Sequence, residues 1–272
     1  LAKSHYGLVL RRSNHKYVAT FLGITPVRNY KTQSQRDFTL HSFIDASWQC
    51  CLYNRAFAGM MHVLDHTHWF PDPDSADLNG IVALGGDLSP RRVLLAYKQG
   101  IFPWFSEDEP ILWWSPDPRM VLFPKEFKLS KSLKKTLRKT SYKVTFNTAF
   151  EAVIDSCARV QREGQQGTWI SQQMKQTYLE LHRQNSAISV EVWEADILVG
   201  GLYGVDLPDN KLFSGESMFS IKTDASKIAF AHLVAWSISQ NYTLIDCQVY
   251  TNHLESLGAR EIDRALFLSY LS

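Results

Sequence analysis

The sequence predicts an α+β protein, with a small α/β domain over residues 61–117 followed by a larger sheet domain over 118–272. Three observations predict it. Well-capped helical segments stand between short apolar runs. Three strand-like runs follow one another from Ser189 to Phe219, separated by short turns. A helix and one more strand come after them, and helices, a meander, a helix and a strand in that order make an α+β sheet domain.

Residues 1–60 are poorly patterned and read as an N-terminal extension, with the native start expected at Met60 or Met61. Ile81–Leu84 is an apolar run stopped by Gly85-Gly86-Asp87. Ser89 is an N-cap, Pro90 suits the first helical position and Gly100 suits the stop, so a helix is expected over Arg91–Gln99 with Val93, Leu94 and Tyr97 as its apolar stripe. Short apolar runs follow at Ile101–Phe105 and Ile111–Trp114, and Pro116 and Pro118 set a boundary near Asp117. Beyond it the pattern predicts strands over Met120–Phe123 and Tyr142–Asn147, and helices over Ser130–Lys139, Ala149–Gln161 and Ser171–Asn185. Strands follow at Ser189–Glu194, Leu198–Val205 and Lys211–Phe219, then a helix over Ala225–Ser239, a strand over Leu244–Val249 and a mixed segment over Glu261–Tyr270.

The composition narrows the function. No run of eighteen apolar residues exists, and Leu1–Asn14 has no hydrophobic core of the kind a secretory signal needs. Cys50, Cys51, Cys157 and Cys247 form no CxxC pair, which leaves reduced thiols in a cytoplasmic protein as the expectation. His62, His66 and His68 lie in no clear element and lack an acid cluster, so no metal site is expected. The net charge is only +2, yet Lys125–Lys143 holds eight basic residues against one acid. That segment is +7 and the rest is −5, the asymmetry of a protein that meets a polyanion. Lys131, Lys134, Lys135 and Arg138 fall at i, i+3, i+4 and i+7, on one helix face, where a merely solvated face is the bland alternative.

Two strands carry an acid inside an otherwise apolar pattern. Glu216 shares a face with Met218, and strand alternation puts Asp246 and Gln248 on one face beside Leu244 and Tyr250. Charges among strand apolars are costly unless paired or used. Together they outline a site with an acid, an amide and an apolar wall. The plain alternatives are that Asp246 caps a neighbouring loop and that Glu216 pairs with Lys227 or Arg260.

Eight segments, in order, resemble the leucyl/phenylalanyl-tRNA–protein transferase family. They are Ala83–Pro90, Gly100–Phe105, Leu112–Arg119, Gly167–Ile170, Gly215–Ser220, Ala225–Lys227, Leu244–Gln248 and Ser256–Glu261. The resemblance runs from about Phe70 to the C-terminus. It implies an acetyltransferase-like (GNAT-like) catalytic sheet domain, no cofactor, and transfer of Leu or Phe from aminoacyl-tRNA to the α-amine of proteins that begin with Arg or Lys. Such proteins are then degraded. A cytoplasmic monomer with no membrane contact is expected. Ile188 and Leu202 depart from the family's usual His and Met.

Asp246 is expected to orient the attacking amine and ease loss of its proton, with Gln248 holding Asp246 or the acyl carbonyl and Glu216 binding an amine of the aminoacyl group or the acceptor's basic side chain. By resemblance, Leu202, Phe213, Met218, Phe230, Leu233 and Ile245 line a pocket for the Leu or Phe side chain, though such residues are also ordinary core. Trp104, Trp169 and Tyr178 are the expected platform for the terminal adenosine, and the basic helix the expected contact to tRNA phosphates. Two competing functions are an acetyl-CoA-dependent N-acetyltransferase and a non-catalytic tRNA-binding module. Against the first, Ser220–Asp224 before the Ala225 helix lacks a glycine-rich pyrophosphate loop.

Overall fold

A computed structural model describes residues 8–13, 16–21, 61–106, 109–139, 142–160 and 168–272. The chain falls into two compact units, Leu1–Tyr53 and Asn54–Ser272. In the first, β1 (Leu8–Ser13) pairs antiparallel with β2 (Lys16–Phe21). Cys50, Cys51, Met60 and Gly167 lie outside the described residues.

The second unit holds two sheets. The smaller has the order β3-β4-β6-β5, from β3 (His62–Leu64), β4 (Ile81–Gly85), β5 (Phe102–Pro103) and β6 (Leu112–Trp114). Between β4 and β5 runs α1 (Pro90–Lys98). Ser89 Oγ accepts from Arg92 N, and Gly100 ends the turn at φ +75°, a conformation glycine adopts without strain. The predicted caps hold because each depends only on neighbours in sequence.

The larger sheet uses β7 (Arg119–Leu122), β8 (Tyr142–Phe146), β9 (Ala187–Glu194), β10 (Ile197–Leu207), β11 (Leu212–Ser220), β12 (Leu244–Gln248) and β13 (Arg260–Ile262). Their order is β13-β7-β12-β11-β10-β9-β8, all antiparallel except the β11–β12 pair. Its helices are α2 (Lys131–Lys139), α3 (Phe150–Arg159), α4 (Gln172–Arg183), α5 (Ala225–Ser239), α6 (Asn252–Ser256) and α7 (Arg264–Leu268).

Alternation along the strands builds two cores. Tyr203 and Val205 face a cluster shared by α1, α3, α4, α7 and the smaller sheet, while Leu202 and Phe213 face one shared with α5 and α2. Gly204 permits the tight join of β10 to β11: a Cβ there would stand 2.2 Å from Ser214 O and 2.4 Å from the Phe213 ring.

The β11–β12 pairing places the site. It spans only Leu212↔Leu244 to Ser214↔Asp246. Beyond Ser214 the strands part, and burial along β11 records it: Leu212–Ser214 are buried, whereas Gly215–Met218 are half-buried.

Candidate active site

Where β11 and β12 separate, a cavity of about 390 Å³ opens. Leu202 from β10, Phe213 and Met218 from β11, Phe230 and Leu233 from α5 and Ile245 from β12 all border it. The six apolar residues of the expected pocket therefore meet in one place. Phe230 and Leu233 come from consecutive turns of α5, which packs across the sheet. Glu216, Asp246 and Gln248 border the same cavity, as do Trp104 and Trp169. Trp104 is 37% exposed, and its carbonyl accepts a 2.6 Å bond from the Trp114 indole N–H.

Asp246 does not stand as the sequence pattern implies. The residue is 1% exposed, and its carboxylate takes a bidentate pair from Arg119, with Nε at 2.8 Å from Oδ1 and Nη2 at 2.7 Å from Oδ2. Ser214 Oγ donates to Oδ2 at 2.9 Å and the Gln248 backbone N–H to Oδ1 at 2.9 Å. A carboxylate has about four acceptor positions, and all four are filled. No position remains for an incoming amine, so the expectation that Asp246 handles the nucleophile's proton directly is corrected. The Arg119 guanidinium lies between two rings, 4.8 Å from Phe102 and 4.5 Å from Phe267. This clamp joins β12, β5 and α7.

Gln248 also departs from simple alternation. The β12–β7 register breaks between Asp246 and Gln248, and Gln248 sits at φ +66°, an uncommon left-handed backbone for a residue with a side chain. That turn sends its N–H to Asp246 and its side chain to the other acid: Nε2 donates to Glu216 Oε1 at 2.7 Å.

Among the described residues, Glu216 accepts one further bond, from Tyr178 Oη at 2.7 Å. Lys227 pairs with Asp224 and Arg260 with Glu126, so neither is its counter-ion. Burial pushes the Glu216 carboxyl up from 4.5 to about 7, with the Asp246 charge adding to the rise; the Tyr97 hydroxyl, which reaches Glu216 through Tyr178, and the hydrogen bonds from Tyr178 and Gln248 oppose it. A cavity carboxyl that titrates near neutrality is the group most able to exchange protons there.

The expected stacking role of Tyr178 is corrected as well. Its side chain is 0% exposed, its ring meets Tyr203 edge-on, and its hydroxyl is committed to Tyr97 and Glu216. It offers no face to a base. Trp104 and Trp169 remain at the cavity.

Lys131, Lys134, Lys135 and Arg138 are exposed on α2 and line a second, shallow concavity of their own, while Leu133 anchors the helix to the core. His68 Nε2 lies 3.2 Å from Ser89 Oγ, and His62 meets the Trp69 ring edge-on. Cys247 borders the cavity with its thiol pushed up by burial. No helix among the described residues is long and apolar enough to cross a membrane.

Sequence reasoning missed three members of this site. Arg119 ends one of the segments quoted above but showed no partner. Ser214 lies in the strand expected over Lys211–Phe219 and was given no role of its own. Tyr97 was counted only as an apolar stripe residue, and nothing local marked its hydroxyl.

Comparison with known proteins follows the same lines. The family model described as leucyl/phenylalanyl-tRNA protein transferase matches residues 121–272, and that of the N-terminal domain of this family matches residues 86–117. A leucyl/phenylalanyl-tRNA–protein transferase of Flavobacterium johnsoniae is 56% identical over 211 residues, which are 78% of this chain and 99% of that protein. One from Christiangramia forsetii is 53% identical over 211 residues, 78% of this chain and 100% of that protein. One from Anaeromyxobacter sp. (strain Fw109-5) is 54% identical over 202 residues, 74% and 85% of the two chains.

Proposed function

The chain belongs to the leucyl/phenylalanyl-tRNA–protein transferase family and is an aminoacyltransferase, and on that premise we propose that it moves Leu or Phe from aminoacyl-tRNA to the α-amine of proteins that begin with Arg or Lys, marking them for degradation. The supporting observation is the single cavity bordered by six apolar side chains and by the Glu216–Gln248 pair. An apolar hollow takes the aminoacyl side chain, and polar groups beside it meet the ester.

The reaction is aminolysis. The amine nitrogen bonds to the ester carbonyl carbon, and the bond from that carbon to the ribose oxygen breaks. An α-amine has a pKa of about 7.7–8.0, so a useful fraction is neutral near pH 7 and little base strength is needed. Glu216 takes the amine's proton and returns it to the leaving ribose oxygen. Gln248 holds Glu216 in place, and Asp246 with Arg119 holds Gln248 in its left-handed turn. Backbone groups on the open edge of β11, beyond its pairing with β12, are the donors for the developing oxyanion. Trp104 and Trp169 stack the terminal adenosine, and the exposed face of α2 binds tRNA phosphates.

An acetyltransferase-like sheet, a cytoplasmic monomer and independence from any cofactor are parts of the same proposal. The test is transfer of radiolabelled Leu or Phe from tRNA to a peptide beginning with Arg. Labelled peptide is expected with the wild-type protein and not with an N-acetylated peptide. Absence of transfer to the free amine would refute the proposal.

A further inference from the structure

Behind Glu216 stand two phenols that the transfer chemistry does not touch directly. Tyr97 comes from α1 and Tyr178 from α4, helices that pack on each other, and both side chains are buried. Their hydroxyl oxygens lie 2.7 Å apart, and Tyr178 Oη donates to Glu216 Oε2 at 2.7 Å. A phenol has one proton. The Tyr178 proton goes to Glu216, so the Tyr97 proton goes to Tyr178. The two-hydroxyl chain is thus polarised toward the carboxylate, where charge-assisted bonds are strongest. The other groups around Glu216 are Gln248 on its second oxygen, Asp246 from β12, Arg119 from β7 held on Asp246, and Tyr203 from β10 behind Tyr178. Among the described residues no Lys, Arg or His forms an ion pair with Glu216. Neutral donors therefore do the work a cation would otherwise do.

We propose that Tyr97 and Tyr178 are positioning residues: a buried hydroxyl chain that holds Glu216 in its charged form and turns its two unused acceptor positions into the cavity. The chain also accommodates the protonated acid. A proton that enters one of the two unused acceptor positions leaves the Tyr178 and Tyr97 hydrogen bonds as they stand, and no heavy atom moves. Glu216 can thus accept a proton and release it within one turnover. This rests on the transfer reaction proposed above.

The experiment is the pH profile of kcat/KM for an Arg-starting peptide at saturating Leu-tRNA, for wild type, Glu216→Gln, Tyr178→Phe and Tyr97→Phe. The limb that Glu216→Gln abolishes belongs to Glu216. Tyr178→Phe removes a donor to the carboxylate and should move that limb upward by about one pH unit. Tyr97→Phe should move it in the same direction, and neither change should alter the profile on the Glu216→Gln background. A limb that stays in place in both phenylalanine variants, with the rate lowered equally at every pH, overturns the proposal. If Tyr178→Phe does not fold, Tyr97→Phe decides alone. If the wild-type protein transfers nothing, the transfer reaction fails instead. A direct ¹³C NMR titration of Glu216 in wild type and Tyr97→Phe then tests the hydroxyl chain by itself.

Discussion

Two carboxylates on neighbouring strands border the same cavity and have opposite surroundings. Asp246 on β12 is closed in by a guanidinium, a hydroxyl and a backbone N–H that fill its acceptor positions. Among the described residues, Glu216 on β11 has a phenol and an amide, no cation, and two positions to spare. Asp246 lies just where β11 and β12 are still paired, and Glu216 lies just beyond, where they have parted. The contrast teaches that a buried acid is structural or chemical according to how many of its lone pairs the fold has already used.

The largest effect should come from breaking the filled site. Arg119→Ala leaves Asp246 charged, buried and unpaired, and removes the contacts with Phe102 and Phe267. A loss of about 3–5 kcal/mol is expected, read from urea denaturation. A loss under about 1 kcal/mol would mean that Asp246 is not held by this pair.

The same comparison predicts the reverse pattern at Glu216. Glu216→Gln keeps the shape and should cost little stability, yet transfer should fall by about 100-fold or more. Equal activity in this variant and wild type would move the chemistry elsewhere in the cavity. Affinity for tRNA should be unchanged by it. That affinity should instead respond to Lys131, Lys134 and Lys135, and reversing all three to Glu should flatten the salt dependence of binding by about two to three in log–log slope. An unaltered slope would remove α2 from the tRNA contact.

The last effect concerns stability and pH. The unfolded chain releases the Glu216 proton near 4.5 and the folded chain near 7. Between those values the folded state keeps a proton that the unfolded state lacks, so this group's stabilising contribution declines as pH rises across the window. The difference in stability between wild type and Glu216→Gln should carry that slope. A flat difference would mean that Glu216 is not titrating in the folded protein.

Much of the fold is legible along the chain. The Ser89 cap and Gly100 stop, the alternation of β9–β11 and the spacing of basic residues on α2 are set by neighbours a few residues apart. The six cavity residues came from resemblance, and α5 packing over β9–β11 brings its two beside those of the strands. Alternation misled at Gln248, because one left-handed residue redirects a side chain whatever the pattern on either side. Tyr178 was assigned to stacking because an aromatic ring looks alike whether exposed or buried, and its burial depends on Tyr97 from 81 residues earlier.

The order of elements from β4 to β12, the places where the helices between them begin and end, and the sites of apolar and basic surface were determined by sequence alone, since each follows from short-range geometry. Which acid is sealed and which is left open was decided only in three dimensions. Arg119 lies 127 residues from Asp246 and meets it through the sheet. The number of hydrogen bonds a carboxylate has already made is a property of such distant partners, and no local pattern carries it.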